Sequence, residues 1–386
     1  MAAKKNCVTE ILRFVLSIFV VGYHTRSIVD YGGNPLFQFG YFAVEFFFIL
    51  SGFLLAMSLE RAYTAERFGL LPDTGRFMWR KIKSFLPFHL IAVVLMMVVI
   101  AAFDTSSFAA RLESGWTGIF LLQSAVVWTT CEGLIVPEWY LSTMLIAILI
   151  IYPCARLLGR KIKRKVFVPV ILIAGLAVVA VAVGFGTNWS FSWNLSNDLR
   201  GFGEMCAGML SFYLSRYLSG REFGKNTRTA LAAAEAVCYV GAFAVMCLPF
   251  DIMGTIGIPI VIVLSAVAVT ISFSGHGLPS AKLSEKICLK MGALSLPLYL
   301  LHPVVIEFAS HTMTALPGWL TVLLVFAISI VLTFAVYETY AALKKHSARR
   351  AAGTAAAVGG VAADVSASDV SAAEKKQEDE VEAKKD

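Results

Sequence analysis

Stretches of roughly 20 apolar residues recur along the chain, and they restrict its possible folds more than any other feature. An apolar helix of about that length crosses a lipid bilayer, and 58% of the 386 residues are hydrophobic. The polar–apolar alternation of membrane-barrel strands is absent. The sequence therefore predicts an all-α fold, a polytopic transmembrane helix bundle. Its apolar runs lie near residues 11–31, 39–59, 84–104, 116–130, 138–155, 166–186, 200–218, 229–249, 254–273, 291–310 and 318–342.

The basic residues predict how these runs thread the membrane, because Lys and Arg gather in cytosolic loops. If all the runs cross, the basic cluster at 156–165 lies outside. If the run at 116–130 does not cross, every basic cluster lies inside. That run is also the shortest, and it carries Gln123. We therefore predict about ten spans, a re-entrant or interfacial helix near 116–130, and both termini in the cytosol.

The composition changes after the last apolar run. Residues 347–386 are mostly small and then charged, and they cannot bury an apolar core. We predict a transmembrane domain at 1–346 and a disordered cytosolic tail at 347–386. The net charge of +7 is read as loop charge that orients the spans. The lipid bilayer is therefore an expected partner, and nucleic acid is not.

Arg13 and His24 lie in the first apolar run, which is otherwise almost uncharged. Eleven positions make close to three helical turns, so both side chains share one face, about 16 Å apart along the axis. An ionisable group deep in a membrane helix usually faces a polar cavity and serves a function. The alternative is a structural histidine hydrogen-bonded to a neighbouring helix, with Arg13 as an orienting charge.

Glu45 lies several residues inside the second run. A carboxylate within the membrane needs a partner, and His24 on the preceding helix is at a compatible depth. Such a pair fixes the imidazole tautomer and raises its basicity, as a general base requires. The other interpretation makes Glu45 a structural partner of a helix dipole or hydroxyl group.

Arg80, Lys81 and Lys83 lie at the predicted cytosolic start of the third run. Clustered cations at helix ends suit the phosphates of a nucleotide diphosphate. Topology charge with an aromatic belt explains the same pattern. Arg13 favours the phosphate interpretation, because it would line the same inner mouth.

Four further residues are candidates for substrate binding. Trp139 lies at the predicted outer interface, and Gln123 lies in the run that we predict does not cross. Tyr299 and His302 lie in the tenth run beside two prolines, a pattern typical of a broken helix that lines a cavity. An interfacial belt and a packed histidine are the alternatives. No paired metal ligands appear, so no metal is expected.

Five motifs in this order resemble the membrane acyltransferase 3 family: Arg13-x10-His24, AVEFFFILSGFLL, FMWRKIKSFLP, PEWYLS and LYLLHP. The resemblance covers roughly residues 8–342. It implies about ten spans, an acyl-CoA donor (acetyl-CoA above all) that enters from the cytosol, and an acceptor on the outer side. Arg13 and His24 match the family's essential pair.

The sequence departs from the family pattern at three places. Glu45 replaces an Asp of many members, and Arg80-x-x-Lys83 replaces Arg-x-x-Arg, which keeps the charge but loses bidentate phosphate geometry. Where many sugar-modifying members have Trp-Ser-Leu and then Glu, this chain has Trp139-Tyr140-Leu141 and then Met144.

The resemblance implies an O-acyltransferase of the plasma (inner) membrane that acylates a hydroxyl of a cell-surface glycan or lipid-linked sugar. The phosphates of acyl-CoA would bind Arg13, Arg80, Lys81 and Lys83. His24 would either deprotonate the acceptor or accept the acyl group. The alternative is a transporter or flippase for a lipid or glycan, with His24 and Glu45 as a proton relay.

Overall fold

The computed structural model describes residues 6–63, 69–125, 134–161, 174–175, 193–248, 251–279 and 284–382. Within these ranges the regular structure is helical, and no strand occurs. The α-helices are α1 Cys7–Thr25, α2 Ala43–Tyr63, α3 Leu70–Phe103, α4 Phe108–Ile119, α5 Glu138–Lys161, α6 Trp193–Ser219, α7 Lys225–Cys247, α8 Asp251–Ser274, α9 Glu285–Thr312 and α10 Gly318–Glu382.

The predicted all-α membrane bundle is confirmed. In the described part of the chain, 8 helices are long enough and apolar enough to cross a membrane. The predicted span at 200–218 corresponds to α6, which is 27 residues long but carries Asp198, Arg200 and Glu204. The predicted span at 166–186 lies outside the described residues, apart from 174–175.

Helix α1 packs in parallel against α9. Asn6 caps α1, since its side chain accepts a hydrogen bond from the N–H of Thr9 at 3.2 Å. Further along, the hydroxyl groups of Ser17 and Ser295 lie 2.8 Å apart and join the two helices. Such small polar contacts allow close helix packing in a membrane. We call the end of the bundle where α1 begins the near face, and the end where α1 finishes the far face.

Helix α2 packs in parallel against α6 through two glycines. A Cβ atom at Gly52 would meet the carbonyl of Met205, and one at Gly208 would meet the carbonyl of Ile49. The backbones therefore approach as closely as small residues allow. This contact brings the charged first half of α6 against the buried second helix.

The segment between α3 and α5 is re-entrant. Helix α3 ends at the far face, but the carbonyl of Ile119 lies 3.0 Å from Nε2 of His89. His89 is about 21 Å back along α3 from Phe103, at 1.5 Å per residue. The return limb passes close to the descending one, because a Cβ atom at Gly115 would meet Leu134. Helices α3 and α5 are antiparallel neighbours, so the segment between them makes no net crossing.

The helix in this segment lies earlier than predicted. The prediction placed it near 116–130, whereas α4 occupies Phe108–Ile119 and is 12 residues long, too short to span a bilayer. Hydropathy finds the apolar run but misses the amphipathic turns before it. Residues 126–130 lie outside the described part of the chain.

Helix α9 is continuous, although the sequence predicted a break near His302. Both Pro297 and Pro303 lie inside it. Proline removes one backbone donor and bends a helix, but neighbouring helices in a membrane can accommodate the freed carbonyl. The histidine is therefore carried on a complete helix.

The chain divides into two compact units, Met1–Thr333 and Phe334–Asp386. All the site residues described below belong to the first. In the second, the helical backbone of α10 continues to Glu382. The domain boundary at 346 and the disordered state of the tail remain predictions.

Candidate active site between two cavities

Arg13 and His24 lie on one helix but line different cavities. Arg13 borders a cavity toward the near face, and His24 borders a cavity toward the far face. Eleven positions on α1 separate them by about 16 Å. The two residues of the predicted pair therefore line separate cavities and do not contact each other.

The near-face cavity has a volume of about 160 Å³. Arg13 and Lys81 provide its cations. A second cavity of about 230 Å³ shares Lys81 with it and is also lined by Arg80. The polar residues that line the first cavity are Arg13, Ser51, Lys81, Ser84, Tyr140, Ser295 and Tyr299.

Three of the four predicted phosphate ligands therefore lie together, and Lys83 does not. Its ammonium lies 4.9 Å from the ring centroid of Trp79, and it is absent from the lining of both near-face cavities. Successive positions on a helix point in different directions, so Arg80 and Lys81 can face a cavity that Lys83 does not.

Arg13 is held in place by its neighbours. Its guanidinium donates a hydrogen bond to Glu10 at 2.8 Å. The Glu10 carboxylate lies against Gly292 of α9, where a Cβ atom would collide with it. The backbone carbonyl of Arg13 also accepts a hydrogen bond from Ser295 at 2.8 Å. The Glu10 contact therefore holds the guanidinium, and the Ser295 contact holds the backbone of α1 against α9.

The far-face cavity has a volume of about 250 Å³. It combines a histidine with a cation, a carboxylate and two hydroxyl groups. The lining residues are His24, Ser27, Met96, Arg111, Ser114, Leu134, Val136, Pro137, Pro303, Ile306 and Glu307.

His24 is a neighbour of His302, with ring centroids 5.2 Å apart. Nδ1 of His302 lies 3.1 Å from the carbonyl of Leu298. A carbonyl only accepts, so this nitrogen carries the proton, and Nε2 of the neutral ring is an acceptor. That Nε2 is buried and has no hydrogen-bond partner among the described residues. His302 therefore presents an unused acceptor beside His24.

A hydrogen bond joins the walls of the two cavities. Tyr299 lines the near-face cavity, and Pro137 lines the far-face cavity. The hydroxyl of Tyr299 donates to the carbonyl of Pro137 at 3.0 Å. This hydrogen bond therefore joins the linings of the two cavities at one point.

The predicted contact between Glu45 and His24 is wrong. Among the described residues, Glu45 pairs with Arg200, whose Nε lies 3.7 Å from its carboxylate. The same nitrogen lies 3.6 Å from Glu204, and both carboxylates are fully buried. Equal depth did not decide the pairing, because the direction in which each side chain projects from its helix also matters.

Trp139 and Gln123 lie in the protein interior. The Trp139 ring is 5.4 Å from the guanidinium carbon of Arg200, so it packs against the charged cluster of α6. Gln123 is 2% exposed and lies on the re-entrant segment. Neither lines the two cavities just described. Their contact with substrate remains a prediction.

Sequence reasoning missed a second buried pair. Nδ1 of His89 lies 3.0 Å from the carboxylate of Glu138, and neither side chain is exposed. With Nε2 of His89 near the carbonyl of Ile119, the pair joins α3, the re-entrant segment and the start of α5. A lone histidine in an apolar run was the available signal. Arg111 and Glu307 were also missed, since nothing local connects them.

Over the described residues, no group of three or more His, Cys, Asp or Glu side chains has the arrangement of a metal site.

The chain matches a family model described as an acyltransferase domain over residues 9–338. The match includes both cavities and the wall between them. No curated protein and no solved structure matches the chain.

Proposed function

This chain belongs to the acyltransferase 3 family, and we propose that it transfers an acyl group from acyl-CoA to a hydroxyl group of a glycan or lipid-linked sugar. Acetyl is the simplest group of this kind. The family makes the chain a membrane acyltransferase; the donor, the acceptor and the residue roles are our proposal.

The observation that carries the proposal is the division of Arg13 and His24 between two cavities on one helix. A transfer across a membrane needs a donor site on one side, an acceptor site on the other, and a reacting group near their boundary. Helix α1 supplies residues to both chambers.

We assign the near face to the cytosolic side of the plasma (inner) membrane. The cations of the loop and helix start that precede the third span lie at this face, and basic loops stay in the cytosol. Helix α1 begins at the near face, so the N-terminus is cytosolic. An even number of spans, as predicted, would also return the C-terminus to the cytosol.

Arg13, Arg80 and Lys81 would bind the phosphates of the donor. Charge-assisted hydrogen bonds from guanidinium groups are strong and match phosphate geometry. The cavity that Arg13 lines is only about 160 Å³, too small for a nucleotide. Only the thin thioester arm of acyl-CoA would extend past it toward Tyr299.

His24 would act at the boundary as the general base. Its nitrogen would take the proton of the acceptor hydroxyl while the oxygen attacks the thioester carbonyl. The carbon–sulfur bond then breaks, and the CoA thiolate leaves and takes up that proton. The acceptor nitrogen of His302 can receive an N–H of His24 and so orient the ring. The alternative route acylates His24 first.

The test compares purified wild type with His24→Ala in two assays, acetyl-CoA binding and acetyl transfer in membranes. We expect transfer to fall by roughly 10²–10⁴-fold, with donor binding retained. His346→Ala, which removes an exposed histidine, is the matched control.

Near-normal transfer by His24→Ala would refute the assignment and leave His24 as a structural residue. Label from radioactive acetyl-CoA that stays on wild type but not on His24→Ala, with acceptor absent, would support the acylated-histidine route over the general-base route.

A further inference from the structure

The far-face cavity continues into a second polar chamber. Ser27 lines both the cavity of His24 and an adjoining cavity of about 490 Å³. The polar side chains of this second chamber are Ser27, Asp30, Ser310, Thr314 and Thr321. A surface rich in hydroxyl groups therefore extends from the cavity of His24 into the adjoining cavity.

Arg111 and Glu307 face each other at the edge of the His24 cavity. Arg111 lies on α4 and Glu307 on α9, and both guanidinium Nη atoms donate to the carboxylate. Their side chains keep 33% and 21% exposure. A guanidinium has five N–H donors, and each carboxylate oxygen can accept more than one hydrogen bond. The pair therefore has capacity left for a ligand.

The charges of this region nearly cancel, in contrast to the cationic near-face cavity. In the described lining of the two far-face cavities, Arg111 stands against Glu307 and Asp30. His311 approaches Glu307 at 3.5 Å. An anionic ligand would meet two carboxylates here. A ligand with neighbouring hydroxyl groups fits better, because a hydroxyl can accept a hydrogen bond from the guanidinium and donate one to the carboxylate.

We propose that the far-face cavity is the acceptor subsite and that it takes one uncharged sugar ring. Arg111 and Glu307 contact neighbouring hydroxyl groups of the ring, and another hydroxyl faces His24. Drug-sized ligands fill about 300–1,000 Å³, so a cavity of about 250 Å³ suits a single ring. The next residue of the glycan occupies the adjoining chamber. This inference rests on the proposed function.

The variants Arg111→Gln and Glu307→Gln test the subsite. Membranes of the host cell supply endogenous acceptors, and two rates are measured with radioactive acetyl-CoA: acetyl transfer to carbohydrate, and release of CoA by water. We expect each variant to lower transfer about tenfold or more, since charged hydrogen-bond partners are lost. CoA release by water should stay within about twofold of wild type, because the donor site is untouched.

Glu307→Gln also tests the charge of the acceptor. Loss of this negative charge would speed transfer to an anionic acceptor and slow transfer to an uncharged one. Faster transfer by Glu307→Gln would overturn the proposal. Arg76→Gln, which breaks an exposed near-face ion pair with Asp73, is the matched control and should leave transfer unchanged.

A purely structural role of the ion pair is tested by exchanging its charges, with Arg111→Glu and Glu307→Arg in one chain. The exchange restores a link between α4 and α9 but reverses the donors and acceptors that a sugar meets. We expect transfer to stay low. Restored transfer would overturn the proposal.

Failure of the proposed function gives a different result. Wild type that neither binds acetyl-CoA nor transfers acetyl would refute that function itself. An active wild type with unaffected Arg111 and Glu307 variants would refute only the subsite.

Discussion

The near-face and far-face cavities of this acyltransferase differ in the charges and polar groups that line them. The near-face cavities are lined by cations from α1 and α3. The far-face cavity contains an Arg–Glu pair, hydroxyl groups and a histidine, and it continues into a second polar chamber. The near face suits an anionic donor such as acyl-CoA, whose thioester arm is thin. The far face suits an uncharged ligand that both donates and accepts hydrogen bonds.

This difference assigns a separate task to each end of the same helix. Arg13 carries a permanent charge and needs a fixed position, which the contacts with Glu10 and Ser295 help to provide. His24 needs a ring nitrogen that a ligand can reach, and it lines a cavity. Its neighbour His302 is fully buried. Changes at the two ends should therefore produce different kinetic defects.

Arg13→Ala should produce the largest donor-side effect. Loss of charge-assisted hydrogen bonds, worth about 1.5–3 kcal/mol to a phosphate, should raise the KM for acetyl-CoA roughly 10–100-fold. Arg13→Lys should recover only part of this, because it keeps the charge but not the planar fork. Initial rates over a range of acetyl-CoA concentrations give the KM. Glu10→Gln keeps the guanidinium and an oxygen that can accept its hydrogen bond, so it should raise the KM less than Arg13→Ala does. An unchanged KM in Arg13→Ala would remove Arg13 from the donor site.

Tyr299→Phe should weaken the separation between the two cavities. The variant loses the hydrogen bond to the Pro137 carbonyl, a contact worth about 1 kcal/mol, so water should reach the thioester more often. We expect CoA release without acceptor to rise about fivefold.

The matched control for Tyr299→Phe is Tyr140→Phe. This variant removes another hydroxyl group from the same cavity, one that donates to the carbonyl of Phe47. Equal CoA release in both variants would mean that the Tyr299 hydrogen bond does not close the wall.

Arg80→Ala and Lys83→Ala should differ although they remove similar charges three positions apart. Arg80 lines a near-face cavity and Lys83 lies against Trp79. We expect the KM for acetyl-CoA to rise about threefold in Arg80→Ala, which removes a cation from the cavity lining, and to stay within about twofold in Lys83→Ala, which does not. Both effects should be small, because both side chains are exposed. The same KM assay measures both. An effect of Lys83→Ala as large as that of Arg80→Ala would support the original four-residue donor site.

Truncation after His346 should have the smallest effect. The removed segment has no apolar face for docking, so transfer and donor KM should match the full chain. Membrane abundance, measured by immunoblot, is the control. Lost activity at normal abundance would give the tail a function.

Most of the fold could be predicted from the sequence, because the length of an apolar run and the position of a basic loop are local properties of the chain. They predicted the helical class and the re-entrant segment. They did not predict where α3 begins: the apolar run starts at 84, whereas the helix starts at Leu70. Its first turns contain the charged residues Arg76, Arg80 and Lys81. These residues are helical, but a hydropathy pattern does not reveal them.

The site followed only in part. The sequence placed Arg13 and Lys81 at one mouth because the depth of each helix could be estimated, and both line one cavity. Tyr299, which was predicted to bind substrate, lines the same cavity. The partner of Glu45 was mistaken, since Arg200 lies on α6, far away in sequence, and helix rotation is not a local property. The Arg111–Glu307 pair, which joins residues 196 positions apart, had no local signal for the same reason.

The buried contact between His89 and Glu138 also bears on how the protein enters the bilayer. A single helix that carries an ionisable side chain into hydrocarbon inserts poorly, at a cost of about 2.5–3.5 kcal/mol for Asp, Lys or Arg at its centre. Helices α3 and α5 carry one partner each and are separated along the chain only by the segment that contains α4, so their insertion as one hairpin satisfies both groups at once. Among the described residues, the ion-pair partner of Glu45 on α2 is a later one. Its partner Arg200 is synthesised more than 150 residues later, which makes α2 the helix that depends on a late arrival during biogenesis.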